Sequence, residues 1–259
     1  MIQHTTVEST RVAYRTEGHG PGLLLVHGTG ADGDSNFAHL LDHLPDFTTI
    51  RPDYSGSPLT LDDGGPLRLR HLTEQLAAVM DDAGHEEVDV VGFSLGAVLA
   101  AALAAGRPDR VRRLVLVSGW LEPDARHRLT MRLWRRLAQD DPDAYAEFLL
   151  LALFAPGYLR ALGKVGVDDA LGTIEPTAGT LRQIDLNLSV DLTAIAPRIS
   201  TPTLVIGGAR DHLVPIEAAR RLAGAIPGAR LVELDCGHMI PVEQPEALLS
   251  EMRRFLTLA

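Results

Sequence analysis

Ser94 stands at the centre of Gly92-Phe93-Ser94-Leu95-Gly96, a G-x-S-x-G pattern. The β-branched residues Val88, Val90 and Val91 before it read as a buried strand, and 95–105 after it as an Ala-rich helix. A sharp strand-to-helix turn at such a motif strains the central residue, and the flanking glycines remove side chains that would clash. The serine oxygen then sits at the mouth of a sheet, near the positive end of a helix. A serine hydroxyl is a weak nucleophile at neutral pH; it needs a base, and the base needs an orienting partner. Strand 203–206 runs into Gly207-Gly208-Ala209-Arg210-Asp211, which places the Asp211 carboxylate just past a strand end. After a further helix and strand comes Asp235-Cys236-Gly237-His238, which puts His238 on a loop at the same edge. The chemistry within reach of these three side chains is nucleophilic attack through a covalent intermediate.

The elements that must position them follow a simple rhythm. Short β-branched or apolar runs at 23–26, 48–51, 88–91, 111–117, 203–206 and 231–234 alternate with longer helical segments, among them 70–83, 216–225 and 246–256. That alternation predicts an α/β fold with a mostly parallel sheet and helices on both faces. Residues 11–16 read as an early antiparallel strand. Between 120 and 189 the rhythm breaks into helical pieces with glycines and no strand. This stretch reads as a cap set over the C-terminal ends of the strands, the edge where open parallel sheets bind ligands. The predicted organisation is therefore a core of 1–119 and 190–259 with a cap of 120–189.

At 259 residues, with 46% hydrophobic and 22% charged residues, the chain has the composition of a globular protein. A formal net charge of −10 opposes nonspecific contact with nucleic acid and with anionic membrane surfaces. Cys236 is the single cysteine, so no intrachain disulfide can form. The polar, mixed start of the chain carries no export pattern, and the cytoplasm is the expected location. The longest uncharged stretch, 90–106, falls short of the roughly 20 residues that span a bilayer.

Taken together, these segments resemble the α/β-hydrolase superfamily, in its capped, serine-nucleophile branch of esterase-like and C–C-hydrolase-like proteins. The carriers are His27-Gly28-Thr29-Gly30, Gly92 to Gly96, Gly208 to Pro215, and Gly237-His238 followed by Glu243-Gln244-Pro245-Glu246. The likeness covers nearly the whole chain outside the cap. It implies an eight-stranded sheet with the cap inserted after the sixth strand, and no cofactor or metal. It further implies Ser94 as nucleophile, His238 as general base and then acid, and Asp211 as the partner of His238. The implied oxyanion hole uses the N–H groups of Leu95 and Thr29, each worth roughly 3 kcal/mol toward a tetrahedral intermediate. His27 is expected to shape the Thr29 turn without moving a proton. One departure stands out: where the family commonly has an Asp-x-x-Gly-x-Gly-x-Ser-like turn, this chain reads Asp53-Tyr54-Ser55-Gly56-Ser57-Pro58.

The function so implied is cofactor-free hydrolysis of an ester, thioester or lactone of a small, apolar acyl substrate. The same triad also serves C–C hydrolysis, elimination or cyclisation, and a non-catalytic small-molecule receptor is the alternative of another class. Several other features compete for attention. Gly28 to Gly33 spells G-x-G-x-x-G with Asp53 20 residues beyond, but 32–35 reads as loop where a dinucleotide site needs a helix. His39 and His43 are spaced as metal ligands on a helix face yet lack a third partner, which favours a solvated surface. Cys236 reads as a small buried filler. Asp235 lies too close in sequence to His238 to reach its far ring nitrogen, and His212 is expected to be exposed. Leu133, Trp134, Leu137, Phe148 and Phe154 read as cap packing rather than a cofactor box, with lining of the pocket by some of them as the alternative. Arg126, Arg128, Arg132, Arg135 and Arg136 read as a solvated face paired with acids; the sharper alternative is docking of an acidic substrate or acidic carrier protein.

Overall fold

The computed structural model describes residues 1–257. Its sheet is built from β1 (Ile2–Val7), β2 (Thr10–Gly18), β3 (Gly22–Val26), β4 (Thr48–Asp53), β5 (Val88–Phe93), β6 (Val111–Val117), β7 (Thr203–Gly208) and β8 (Arg230–Leu234). The spatial order is β1-β2-β4-β3-β5-β6-β7-β8. β2 runs antiparallel to both neighbours, and every other adjacent pair is parallel. This is the eight-stranded α/β arrangement the sequence predicts.

Seven of the strands have apolar runs that announce them; β1 does not. It pairs with β2 alone, and its burial pattern is largely exposed. A mostly solvated edge strand carries no apolar alternation to read. β4 extends to Asp53 despite Pro52. The last β3–β4 pair is Leu24 with Ile50, so Pro52 lies where no β3 hydrogen bond depends on its missing N–H.

The core strands are apolar almost throughout because both faces are covered. Leu24, Val26, Val90, Leu114 and Leu116 share one core with α1 (Leu69–Asp82), α2 (Leu95–Gly106) and α7 (Ile216–Ala225). Their neighbours Leu23, Leu25, Val91, Val115 and Val117 point the other way, toward Phe37, Leu40 and the last helix, α9 (Pro245–Leu256). α2 carries small residues because it is nearly enclosed, with ten of its twelve residues buried.

Between β6 and β7 the chain forms α3 (Ala125–Asp140), α4 (Pro142–Leu153), α5 (Pro156–Leu171) and α6 (Ala178–Asn187). Each start has a local cause. Asp124 and Asp141 cap α3 and α4 by accepting backbone N–H bonds, Thr177 and Thr180 form a capping box on α6, and prolines open α4 and α5. α3 buries His127, Met131, Trp134 and Ala138, one stripe at helical spacing. Among the described residues no helix is long and apolar enough to cross a membrane.

Register fixes which loops can meet. Val26 pairs with Gly92, Phe93 with Val117, Val117 with Ile206 and Gly208 with Leu234. The loops that follow β3, β5, β7 and β8 therefore leave the sheet at one edge.

Candidate active site

Ser94 occupies the turn between β5 and α2 with φ 56° and ψ −118°, a left-handed conformation that costs energy for a residue with a side chain. The flanking glycines are steric necessities. A Cβ on Gly96 would strike the carbonyl oxygens of Val26 and His27, and one on Gly92 would strike the backbone of Gly96. The strained turn is held from below by β6, whose Val117 carbonyl accepts the Ser94 N–H at 2.8 Å.

The structure brings all three predicted side chains together. His238 Nε2 lies 3.0 Å from Ser94 Oγ, and His238 Nδ1 lies 2.6 Å from Asp211 Oδ2. The other carboxylate oxygen, Asp211 Oδ1, accepts the N–H groups of Leu213 (2.8 Å) and Val214 (2.7 Å). All three residues are buried. Because both Asp211 oxygens are engaged, the carboxylate cannot rotate away from the imidazole without losing hydrogen bonds.

The loop carrying His238 is tied to elements far away in sequence. The N–H groups of His238 and Met239 both donate to the Leu153 carbonyl at the end of α4, at 2.8 and 3.1 Å. Ser118 Oγ donates to the His238 carbonyl at 2.9 Å. Glu243, in the short helix α8 (Ile240–Glu243), accepts the N–H groups of Gly237 (3.0 Å) and Ala155 (3.1 Å) through one oxygen. Burial raises its carboxyl above the usual range against these two bonds.

The turn after β3 shows a division of labour among consecutive N–H groups. Gly28 N–H donates to Asn36 Oδ1 at 2.8 Å and Gly30 N–H to Gln183 Oε1 at 2.7 Å. Between them, the Thr29 N–H has no acceptor among the described residues. Leu95 N–H opens α2, where a helix leaves its first donors unpaired. The turn after β3 and the start of α2 thus each offer one N–H that has no acceptor among the described residues.

His27 beneath this turn donates from Nδ1 to the Gly28 carbonyl at 2.8 Å, and Ser57 Oγ lies 2.9 Å from its Nε2. Its ring stacks on Tyr54 at 4.1 Å, and complete burial lowers its pKa to about 4. His27 is a neutral brace. Ser57, one residue before the position where Pro58 replaces the family's second glycine, contributes the hydroxyl that holds it. Gly56 keeps φ 92° and packs against Gln183.

The competing motifs resolve on the same evidence. Asp53 Oδ1 accepts the Gly33 N–H at 2.8 Å and is fully buried, so it braces the glycine turn rather than facing a ribose. Residues 32–35 form a turn, not a helix. His39 is exposed and donates to the Pro241 carbonyl at 2.7 Å. Cys236 is buried, which together with Glu243, Asp211 and Asp235 pushes its thiol up to about 12. Asp235 is exposed and pairs with Arg210 at 2.5 Å. His212 is exposed, as expected. Of the arginine cluster, Arg135 pairs with an acid, Asp185 at 2.6 Å, whereas Arg126 and Arg128 donate to the backbone carbonyls of His212 and Leu188. The expected acid pairing therefore holds at one position, and carbonyls at neighbouring loop ends take two of the others.

A cavity of about 200 Å³ opens over Ser94 and His238. α3 and α4 contribute Trp134, Tyr145, Leu149 and Leu153 to its walls, and Leu213 and Met239 come from the loops after β7 and β8. Trp134 thus lines the cavity as well as packing α3. Asn36, Gln183, Asn187 and Ser118 escape a reading by motif, and Glu243, one of the residues that carry the family resemblance, is given no role by it. The four-residue spacing of Gln183 and Asn187 was the one available signal, since it puts two amides on one face of a helix.

Residues 23–251 match the alpha/beta hydrolase family. The pyrrolizixenacetamide deacetylase of Xenorhabdus hominickii is 40% identical over 255 residues, which cover 96% of each chain. Among solved structures, a hydrolase from Pseudomonas aeruginosa PA01 superposes with a TM-score of 0.88 at 26% identity, over 99% of this chain and 98% of that one. The enol-lactonase from Burkholderia xenovorans LB400 gives 0.84 at 26% identity, over 99% and 100%.

Proposed function

The chain belongs to the alpha/beta hydrolase family, and from that premise we propose that it is a serine hydrolase that removes a short acyl group from an amide or ester through an acyl-Ser94 intermediate. The observation that carries this reading is the unbroken chain from Asp211 through His238 to Ser94, with separations of 2.6 and 3.0 Å.

In the proposed mechanism Ser94 Oγ attacks the substrate carbonyl carbon while His238 Nε2 takes its proton. Asp211 keeps the other ring nitrogen protonated and stabilises the imidazolium that forms. The carbonyl oxygen becomes an oxyanion and accepts the Thr29 and Leu95 N–H groups, donors already in place before charge develops. Collapse breaks the bond to the leaving group, which departs as an amine or alcohol with the proton from His238. Water, deprotonated by His238, then attacks the acyl carbon, and Ser94 leaves with the proton returned. Residues 120–189 act as the cap, with α3 and α4 walling the acyl site.

Two observations support a short acyl group. The cavity of about 200 Å³ is smaller than the roughly 300–1,000 Å³ of sites that take drug-sized ligands. The relative at 40% identity is named a deacetylase. A series of p-nitrophenyl esters from acetate to octanoate, with p-nitroacetanilide as the amide, tests the reading against Ser94→Ala as background. kcat/KM should be greatest for acetate to butyrate and at least tenfold lower for octanoate. A specificity that climbs steadily with chain length would overturn the short-acyl reading.

A further inference from the structure

α6 places two amide side chains one turn apart on the face that meets the turn after β3. Gln183 is fully buried and accepts the Gly30 N–H at 2.7 Å. Asn187, 1% exposed, donates from Nδ2 to Thr29 Oγ1 at 2.9 Å. The helix that carries them is itself fastened to the body of the protein. Arg182 forms a two-pronged ion pair with Asp62 at 2.8 and 2.9 Å and donates to the Gly65 carbonyl at 2.7 Å. A Cβ on Gly179 would strike the Gly56 carbonyl, which shows how tightly α6 lies on the loop after β4.

Three amides thus clamp three consecutive residues: Asn36 on Gly28, Asn187 on Thr29 and Gln183 on Gly30. The contacts take the first and third N–H groups and the Thr29 hydroxyl, and leave the Thr29 N–H as the free donor. We propose that Gln183 and Asn187 are positioning residues that aim the Thr29 N–H at the oxyanion, so that the insertion completes the oxyanion hole as well as walling the cavity. This rests on the acyl-Ser94 reading above. The physical basis is plain. The Thr29 N–H belongs to the Gly28–Thr29 peptide, whose carbonyl accepts from His27 Nδ1 and Tyr54 Oη at 2.8 and 3.3 Å, and a donor misplaced by about 1 Å can cost on the order of 100-fold in rate. The Gln183 bond fixes the next peptide, Thr29–Gly30, and the Asn187 bond fixes the Thr29 side chain, so the backbone is held on both sides of the Thr29 Cα.

Gln183→Met keeps length and bulk but removes the acceptor, whereas Gln183→Glu keeps an oxygen that accepts the Gly30 N–H. The test measures kcat and KM on p-nitrophenyl acetate for both variants, together with melting temperature and the rate of Ser94 phosphonylation by a fluorophosphonate. Gln183→Met should lower kcat and the phosphonylation rate by 10- to 100-fold with KM changed less than threefold, and Gln183→Glu should recover most of the loss. A folded Gln183→Met with wild-type kcat would overturn the proposal, and so would a rise in KM at constant kcat. If Gln183→Met fails to fold, Thr29→Val and Asn187→Leu decide. Each breaks the same bond, so the double variant should lose no more kcat than the worse single one; additive losses would overturn it. Activity retained by Ser94→Ala would instead sink the acyl-serine reading on which it rests, a result none of these variants can mimic.

Discussion

Replacing Asp211 with asparagine turns the two jobs of that carboxylate against each other. Asp211 Oδ1 accepts two backbone N–H groups, and Oδ2 faces His238 Nδ1 at 2.6 Å. Asp211→Asn leaves one oxygen, and the two backbone donors claim it. The NH2 then faces His238 Nδ1 and requires that nitrogen to be the unprotonated one. The neutral imidazole must carry its proton on Nε2, so Nε2–H points at Ser94 Oγ and cannot accept its proton. Turning the amide over restores the tautomer but strands the N–H groups of Leu213 and Val214, at about 1–3 kcal/mol for each unsatisfied group. The competent arrangement is thus disfavoured by roughly 2–6 kcal/mol, or about 30-fold to 10⁴-fold. The upper end agrees with the loss on the order of 10⁴ that a wrong histidine tautomer causes in a serine triad. Asp211 does not line the cavity, so KM should stay within about threefold of wild type. Steady-state kinetics on p-nitrophenyl acetate, with circular dichroism to establish folding, measures both quantities. A folded Asp211→Asn variant with kcat within tenfold of wild type would refute the reasoning.

Acid should destabilise the fold through two buried histidines. Burial lowers the pKa of His27 and of His127 from 6.5 to about 4. The unfolded chain therefore takes up these protons first as pH falls. The stability present above pH 6.5 is lost progressively toward pH 4, by roughly 3 kcal/mol per histidine. Urea unfolding at pH 7, 5.5 and 4.5 should show this fall, and His127→Gln should make it shallower. Glu243→Leu should strand the N–H groups of Gly237 and Ala155 and cost about 2–6 kcal/mol, while Glu243→Gln retains an accepting oxygen and should cost less. Thermal melts of the two variants measure the difference, and equal melting temperatures would contradict the bridging role of Glu243.

What the sequence discloses of this protein, and what it hides, follows from the range of the interactions involved. Ser94 is legible because its turn is local: a buried strand, two glycines and a small-residue helix within about twenty positions. Asp211 and His238 are legible because each follows a strand that ends at the same edge. The amides are different. Gln183 reaches Gly30 across 153 positions, and Asn187 reaches Thr29 across 158. Such bonds depend on where a helix docks, and nothing in the local pattern of α6 reports it. The same holds for the Leu153 carbonyl, a backbone acceptor with no sequence signature that nonetheless holds His238. β1 was hidden for the opposite reason, since a solvated edge strand needs little apolar patterning. At the departure from the family's turn, Pro58 stands where the second glycine would be, and the neighbouring Ser57 hydroxyl lies beside His27 Nε2, a contact across 30 positions that no local pattern announces. The arginines of α3 show the limit of charge counting: the sequence suggests acid partners, and the fold supplies one acid and two carbonyls.

The central claim is that Ser94 is a nucleophile made by His238 and Asp211. Treatment of the folded protein with a fluorophosphonate, followed by intact mass measurement and peptide mapping, tests it most directly. The account predicts one adduct per chain, located on Ser94, with parallel loss of esterase activity and no adduct in Ser94→Ala or in urea-unfolded protein. A folded protein that hydrolyses p-nitrophenyl acetate while Ser94 stays unmodified, or that keeps its activity as Ser94→Ala, would contradict it.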